Sequence, residues 1–312
     1  MQYFESIDRA ELRGTYLAVG SFDGLHRGHR HLLETMLAAA REDHASSAVV
    51  TFFPHPRSVL GPAGSPPFRY LTTLDERLAL LRTLPLDAVV LQPFDIEFSR
   101  IVAGDFLHLL NRKLGMRSLW CGPNFAVGRR REGDVAYLTD KSLTEGFSLY
   151  VVPPLAKDGE PISSTGIRSA LAAGDPIGAA ELLGRLFSLS GPVVHGAGRG
   201  RKMGVPTANI SLWPEITVPA YGVYATWSIT GGKRIPSVTS IGLRPTFEPD
   251  VSHKATVETH LLDFDGDLYG SSLRVEFAAR LRPERKFPDM ETLRTQMAED
   301  MKTARRILRE ER

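Results

Sequence analysis

The stretch Val19-Gly20-Ser21-Phe22-Asp23-Gly24-Leu25-His26-Arg27-Gly28-His29 places two imidazoles and three glycines between two segments of different periodicity. Thr15-Tyr16-Leu17-Ala18-Val19 reads as a strand, and from His29 the apolar residues Leu32, Leu33, Met36, Leu37 and Ala40 recur at helical spacing. A loop between such elements ends at a helix N-terminus. Free backbone N–H groups and the positive end of the helix dipole attract phosphate there. With Gly28 between them, His26 and His29 can lean over such a phosphate and stabilise the charge that develops when the α-phosphate of a nucleotide is attacked. A bare His-x-Gly-His is most simply a corner with two surface histidines. The whole eleven-residue string is far more specific.

The first half of the chain alternates strand and helix signals, as a doubly wound parallel sheet requires. Ala48-Val49-Val50-Thr51-Phe52 follows as a strand, then Thr73-Leu74-Asp75-Glu76 as a capping box opening a helix with Leu78, Leu81 and Leu84. Ala88-Val89-Val90-Leu91 is a third buried strand, Ile101 to Leu114 a helix, and Ser118-Leu119-Trp120-Cys121 and Leu149-Tyr150-Val151-Val152 are strands. Gly61-Pro62-Ala63-Gly64-Ser65-Pro66-Pro67 is a loop by composition, expected to act as a flap.

Near residue 185 the pattern changes. Phe187 to Val194, Tyr221 to Ile229, Ile235 to Ile241, Ala255 to Leu262 and Leu273 to Phe277 follow without intervening helices, which predicts a small antiparallel barrel. From Asp289 a helix carries Met290, Leu293, Met297, Met301, Ala304 and Leu308 on one face, to bury against that barrel. The expected organisation is two different domains, 1–183 and 184–312, with the junction between Gly174 and Gly191.

A chain of 312 residues with 42% hydrophobic content can form two cores. A net charge of +2, mixed along the chain, argues against a nucleic-acid or membrane surface as the main partner. The single cysteine, Cys121, excludes an internal disulfide framework and suits a reducing compartment; next to Leu119-Trp120 it reads as a small buried side chain. Met1 is followed by Glu5, Asp8 and Glu11 with no long apolar run, so neither signal peptide nor transmembrane span is expected, and a cytoplasmic location is.

The opening string resembles the G-x-F-D-G-x-H-x-G-H signature of the nucleotidyltransferase superfamily. The rest of the chain resembles the bacterial bifunctional riboflavin kinase/FAD synthetases within it. Thr51-Phe52-Phe53-Pro54-His55-Pro56, Ile162-Ser163-Ser164-Thr165-Gly166-Ile167-Arg168, Leu183-Gly184-Arg185, Gly204-Val205-Pro206-Thr207-Ala208-Asn209 and Val257-Glu258-Thr259-His260 fall in that family's order. The resemblance implies a Rossmann-like α/β FMN adenylyltransferase domain followed by a riboflavin kinase barrel. The substrates it implies are riboflavin, FMN and ATP, the final product is FAD, and Mg²⁺ accompanies ATP. A monomer or weak homo-oligomer is expected.

On the same resemblance, His26, His29 and Arg168 serve adenylyl transfer, and Gly20, Phe22, Asp23, Gly28, Ser164 and Thr165 hold its ATP. Ser164 and Thr165 at a helix start, with Arg168 one turn in, offer hydroxyls, N–H groups and a guanidinium, although an N-cap with a solvated arginine would have the same sequence. Pro54, His55 and Asn124 fall on the flavin side. Ser21, Gly166 and Val127 depart from the family pattern, where Asn, a larger residue and Phe are common; none removes a group assigned to catalysis.

In the second half, His195-Gly196-Ala197-Gly198-Arg199-Gly200-Arg201-Lys202-Met203-Gly204 is a glycine-rich basic loop that fits neither the P-loop nor the Rossmann pattern. By resemblance, Gly196, Gly198, Gly200 and Lys202 close over ATP, Thr207 and Asn209 offer oxygen ligands to Mg²⁺, and Glu258 is the base for the riboflavin 5′-hydroxyl. Asp263-Phe264-Asp265-Gly266-Asp267 is not an EF-hand loop, because Leu268 and Arg274 occupy the positions that need Gly and Glu. Two other functions fit the same residues: an enzyme active only as a kinase, and a flavin-binding module without useful catalysis.

Overall fold

The computed structural model describes residues 1–62, 64–196, 204–243 and 255–310. The chain forms two compact units, Met1–Ser164 and Thr165–Arg312.

The first unit is built on six parallel strands: β1 (Gln2–Phe4), β2 (Thr15–Val19), β3 (Ser46–Phe53), β4 (Ala88–Pro93), β5 (Met116–Cys121) and β8 (Ser148–Val151), in the order β1-β4-β3-β2-β5-β8. All five residues of β2 are buried, because helices cover both faces of the sheet. Leu17 and Val19 point to a core closed by Phe106, Leu107 and Leu110 of α4 (Ala103–Leu114) and Leu138 of α5 (Val135–Glu145). Tyr16 and Ala18 point to the opposite core, closed by Leu33, Met36, Leu37 and Ala40 of α1 (Arg27–Glu42) and Leu78 and Leu81 of α3 (Leu74–Leu81). The capping box at Thr73 and Glu76 forms as expected, satisfying two backbone N–H groups at the start of α3. Cys121 is buried, and desolvation pushes its thiol up to about 11, which leaves it unreactive at neutral pH.

Smaller elements escape a pattern reading because each is too short to show a period. They are α2 (Pro56–Leu60), the strand pair β6 (Ala126–Val127) and β7 (Gly133–Asp134), and the pair β9 (Ala156–Lys157) and β10 (Glu160–Pro161). α6 (Ser164–Ala173) begins at the division between the units.

The second unit holds α7 (Pro176–Leu183), packed against β11 (Phe187–Val194) and β16 (Ser272–Pro283). With β12 (Ala208–Ile210), β13 (Gly222–Thr230), β14 (Lys233–Leu243) and β15 (Ala255–Leu261), these strands close a barrel in the order β11-β12-β15-β14-β13-β16. The strand pattern of the sequence does not reveal β12; it is the short strand that carries the Pro-Thr-Ala-Asn segment into the barrel.

The final helix, α8 (Met290–Glu310), packs Ala304 and Leu308 against Ala225, Trp227, Leu262 and Ala278. Met290 does not join this face: it is 57% exposed at the first residue of the helix. The face also contains a charge, Asp300, which is 5% exposed. Arg282 of β16 meets it with a fork, Nε and Nη2 donating to Oδ2 at 3.0 and 2.9 Å, and Gln296 Nε2 donates to Oδ1 at 2.8 Å. Breaking a buried ion pair by removing one partner, which leaves the other charge uncompensated, typically costs about 3–5 kcal/mol. Asp300→Ala should therefore destabilise the second unit on that scale, and pairing Asp300→Leu with Arg282→Met should recover much of the loss. Denaturant unfolding measures both, and an Asp300→Ala midpoint equal to wild type would show that the pair does not anchor α8.

Candidate active sites

In the parallel sheet the chain steps from β2 to β3 to β4 on one side and continues with β5 and β8 on the other. The switch point therefore lies between β2 and β5, where loops at the carboxyl ends of strands open a crevice suited to ligands. The loop after β2 carries His26 and His29, and the loop after β5 carries Asn124.

His26 is the N-cap of α1, and its Nδ1 accepts the His29 backbone N–H at 3.2 Å. A neutral His26 thus keeps its proton on Nε2. The two rings stack with centroids 3.6 Å apart at 16°, and the Phe22 ring stands edge-on to His29 at 5.3 Å. A Cβ on Gly28 would lie 3.1 Å from the Ile162 carbonyl and 3.2 Å from His26 Nδ1, so glycine permits this close approach. His29 Nδ1 is buried with no partner among the described residues. Desolvation first, then the neighbouring His26 and the Arg77 cation, hold His29 well below the usual histidine range, so it is neutral at pH 7.

Asp23 and Phe22 build this loop from within. The Asp23 carboxylate is buried and accepts the Leu71 N–H at 3.0 and 3.1 Å and the Thr72 N–H at 3.3 Å. Phe22 is buried with a left-handed φ of 47°, and its ring folds over Gly20, whose N–H donates to the Val50 carbonyl at 3.0 Å. Ser164 Oγ donates to the Asp23 carbonyl at 2.9 Å, a contact within the first unit. Thr165 and Arg168 follow on α6, in the second unit.

Pro54 is exposed just beyond β3, and His55 caps α2, accepting the Arg57 N–H at 3.0 Å through Nδ1. The His55 ring stacks on Phe68 with centroids 4.1 Å apart, and its backbone N–H donates to Tyr70 Oη at 2.8 Å. Asn124 is exposed, and its carbonyl accepts from Arg131 at 2.8 Å.

One residue at this site is absent from the sequence-based assignment. Arg77 is 0% exposed, and its guanidinium donates to the Phe52 carbonyl at 3.0 Å. The signal is present in the chain: Arg77 sits three residues after Leu74 and four before Leu81, on the apolar face of α3, where a solvated arginine has no place.

In the barrel, Asn209 of β12 lies directly opposite Glu258 of β15 in the antiparallel register. Thr207 Oγ1 donates to Glu258 Oε2 at 3.5 Å, the limit of a hydrogen bond. A Cβ on Gly196 would fall 2.1 Å from Asn209 Nδ2, so only glycine leaves room for that amide. His260 Nδ1–H donates to the Pro206 carbonyl at 2.7 Å and fixes the residue preceding Thr207. A hydroxyl, an amide and a carboxylate thus meet in one place, a set of hard oxygen donors that fits a small divalent cation. Gly198, Gly200 and Lys202 lie outside the described residues.

A switch-point loop bearing paired histidines and a barrel bearing an oxygen-donor cluster define a two-part nucleotide-dependent transferase. A family model for FAD synthetase matches residues 8–166, and one for riboflavin kinase matches residues 183–308. A bifunctional riboflavin kinase/FMN adenylyltransferase of Pseudomonas fluorescens is 37% identical over 96% of this chain and 94% of its own. Those of Escherichia coli (strain K12) and Bacillus subtilis (strain 168) are 36% and 32% identical, over 96% and 95% of this chain and 95% and 93% of theirs. A crystal structure described as a macrolide-efflux protein from Streptococcus pneumoniae shares the fold with a TM-score of 0.88 and 28% identity, covering 97% of this chain and 98% of that one. The chain belongs to the bifunctional riboflavin kinase/FMN adenylyltransferase family. It is an enzyme of flavin cofactor biosynthesis, and the expected fold class and pair of activities are borne out. ATP-dependent transfers of this kind use a divalent metal. Among the described residues, no helix is long and apolar enough to cross a membrane.

The neutral state of His29 has a measurable consequence. The unfolded chain takes up a proton near the ordinary value of 6.5, and the folded unit does so only at lower pH. The stability this contributes is complete above about pH 6.5 and is lost as pH falls below it. The thermal midpoint of the first unit should drop on acidification, and His29→Gln should flatten that slope. An unchanged slope in the variant would contradict the burial of a neutral imidazole.

Proposed function

We propose that residues 1–183 adenylylate FMN and residues 184–312 phosphorylate riboflavin, with the helical segment before residue 184 joining the two. The pairing of His26 and His29 at a helix start, on a loop held by Asp23, is the observation that carries the first assignment.

In adenylyl transfer the FMN phosphate attacks the α-phosphorus of ATP, and the bond to pyrophosphate breaks. Charge develops on the phosphate oxygens, so fixed donors contribute most. Gly20 and Gly28 let the backbone close on the triphosphate, His26 Nε2–H and His29 donate to the reacting phosphate, and Ser164, Thr165 and Arg168 hold the departing pyrophosphate. Phe22 and Asp23 contribute to ATP binding by shaping the loop, since the Asp23 carboxylate is already committed to backbone amides. Pro54, His55 and Asn124 receive the flavin, with the stacked His55–Phe68 rings as an aromatic surface for it.

In phosphoryl transfer Glu258 takes the proton of the riboflavin 5′-hydroxyl as that oxygen attacks the γ-phosphorus, and the bond from the γ-phosphorus to the bridging oxygen breaks to release ADP. Gly196, Gly198, Gly200 and Lys202 cover ATP. Thr207 Oγ1 and the Asn209 side-chain oxygen would hold Mg²⁺, which neutralises phosphate charge when bound and keeps part of its water shell. The enzyme works in the cytoplasm as a monomer or weak homo-oligomer, without a nucleic-acid or membrane partner.

Crossed substitutions test the division. His29→Ala should cut FAD formation by roughly 10²-fold, the scale of one lost transition-state donor, and leave FMN formation near wild type. Glu258→Gln should do the reverse when FAD formation is assayed from supplied FMN. Equal loss of both activities in either variant would overturn the assignment.

A magnesium titration separates the metal ligand from the base. Thr207→Val should regain part of its FMN formation as Mg²⁺ is raised, whereas Glu258→Gln should stay slow at every concentration. Identical responses would mean that one of the two roles is wrong.

A further inference from the structure

Arg77 is a charge buried in an apolar core, between Leu74 and Leu81 on the inner face of α3. Desolvating a guanidinium is unfavourable, and a leucine or methionine would fill the same space without that cost. Its partners are therefore informative. Nη1 donates to the carbonyl of Phe52, two residues before Pro54, while Nε and Nη2 are buried with no partner among the described residues. The guanidinium carbon lies 6.0 Å from the centre of the Tyr70 ring, whose hydroxyl receives the His55 N–H. The negative charge of Asp23 is the main electrostatic offset to its burial, followed by Tyr70. Asp23 itself is clasped by Leu71 and Thr72, just before the cap of α3. Arg77 also raises the local positive potential at His29 and so favours the neutral imidazole.

One guanidinium thus stands where three segments converge: the end of β3 that leads to Pro54 and His55, the Asp23 loop that carries His26 and His29, and the Tyr70–Thr72 connection into α3. We propose that Arg77 is a positioning residue for FMN adenylylation, locking the nucleotide loop and the flavin-side segment into one rigid frame so that the two substrates meet in line. This rests on the assignment of His26 and His29 to that reaction. Adenylyl transfer is governed by positioning, and a displacement of about 1 Å away from the chemistry can cost about 10²-fold.

The test uses the full chain, with FMN formation as an internal control that Arg77 should not affect. Arg77→Met removes the charge and the fork; Arg77→Lys keeps the charge but cannot reach the same set of partners. For FAD formation per folded enzyme, Arg77→Met should lose about 10²-fold in kcat/KM, carried mainly by kcat, and Arg77→Lys should recover part of it. A purely structural role would lower the thermal midpoint and leave kcat/KM per folded enzyme at the wild-type value in both variants. That outcome would overturn the proposal. If Arg77→Met does not fold, Arg77→Lys decides: reduced kcat/KM at an unchanged midpoint supports positioning, and wild-type kcat/KM refutes it. His29→Ala is assayed alongside. Full FAD formation in that variant would remove the underlying assignment, whereas its loss together with unaffected Arg77 variants would sink the positioning role alone.

Discussion

The nucleotide loop of the first unit depends on a single carboxylate. Asp23 is buried and accepts the backbone N–H groups of Leu71 and Thr72, residues nearly fifty positions away, while the Asp23 carbonyl accepts the Ser164 hydroxyl. A carboxylate sequestered from water is tolerable only when its lone pairs are used and a cation stands nearby. Leu71 and Thr72 satisfy the first condition and Arg77 contributes to the second. The loop they hold is strained at Phe22 and Leu25, with φ of 47° and 35°, yet its contacts over-determine its backbone. Rigidity of this kind is what a phosphate-handling loop requires, because catalysis by fixed donors works only if the donors need not reorganise.

The barrel reaches its site by a different constraint. Strand register, rather than a buried charge, brings Asn209 opposite Glu258, and a missing side chain at Gly196 leaves the space that the Asn209 amide fills. The closed sheet removes free edges, and inside it Thr226, Ser237 and Thr239 share hydroxyl hydrogen bonds of 2.7 to 2.8 Å. Thr259, beside Glu258 on β15, joins that chain at 3.0 Å through Thr239. A network in which every hydroxyl is partnered stiffens the strand from which the carboxylate projects.

Much of this could be read directly from the chain, because local chemistry decided it. The strand–loop–helix corner at His26 and His29, the capping box at Thr73, the change from alternating elements to consecutive strands near residue 185, and the burial of Cys121 all stem from period, capping and composition. Elements of two to five residues, such as α2, β6 and β12, carry too little pattern to be seen. Met290 fits the helical stripe by spacing alone but stays exposed at the first residue of α8, where no barrel strand covers it.

The sequence by itself determined the two architectures, their order and the residue types that each presents, since hydrophobic period and motif spacing are properties of neighbours along the chain. Only the tertiary structure decided how those groups are used. Asp23 reads as a nucleotide contact in the sequence, and in the fold its carboxylate also clasps backbone amides; Arg77 and Asp300 are single charges within helices, and the fold buries both against partners the chain does not name locally. The physical reason is common to all three: the free energy of a charge depends on which distant segments desolvate and partner it, and no local pattern records those segments.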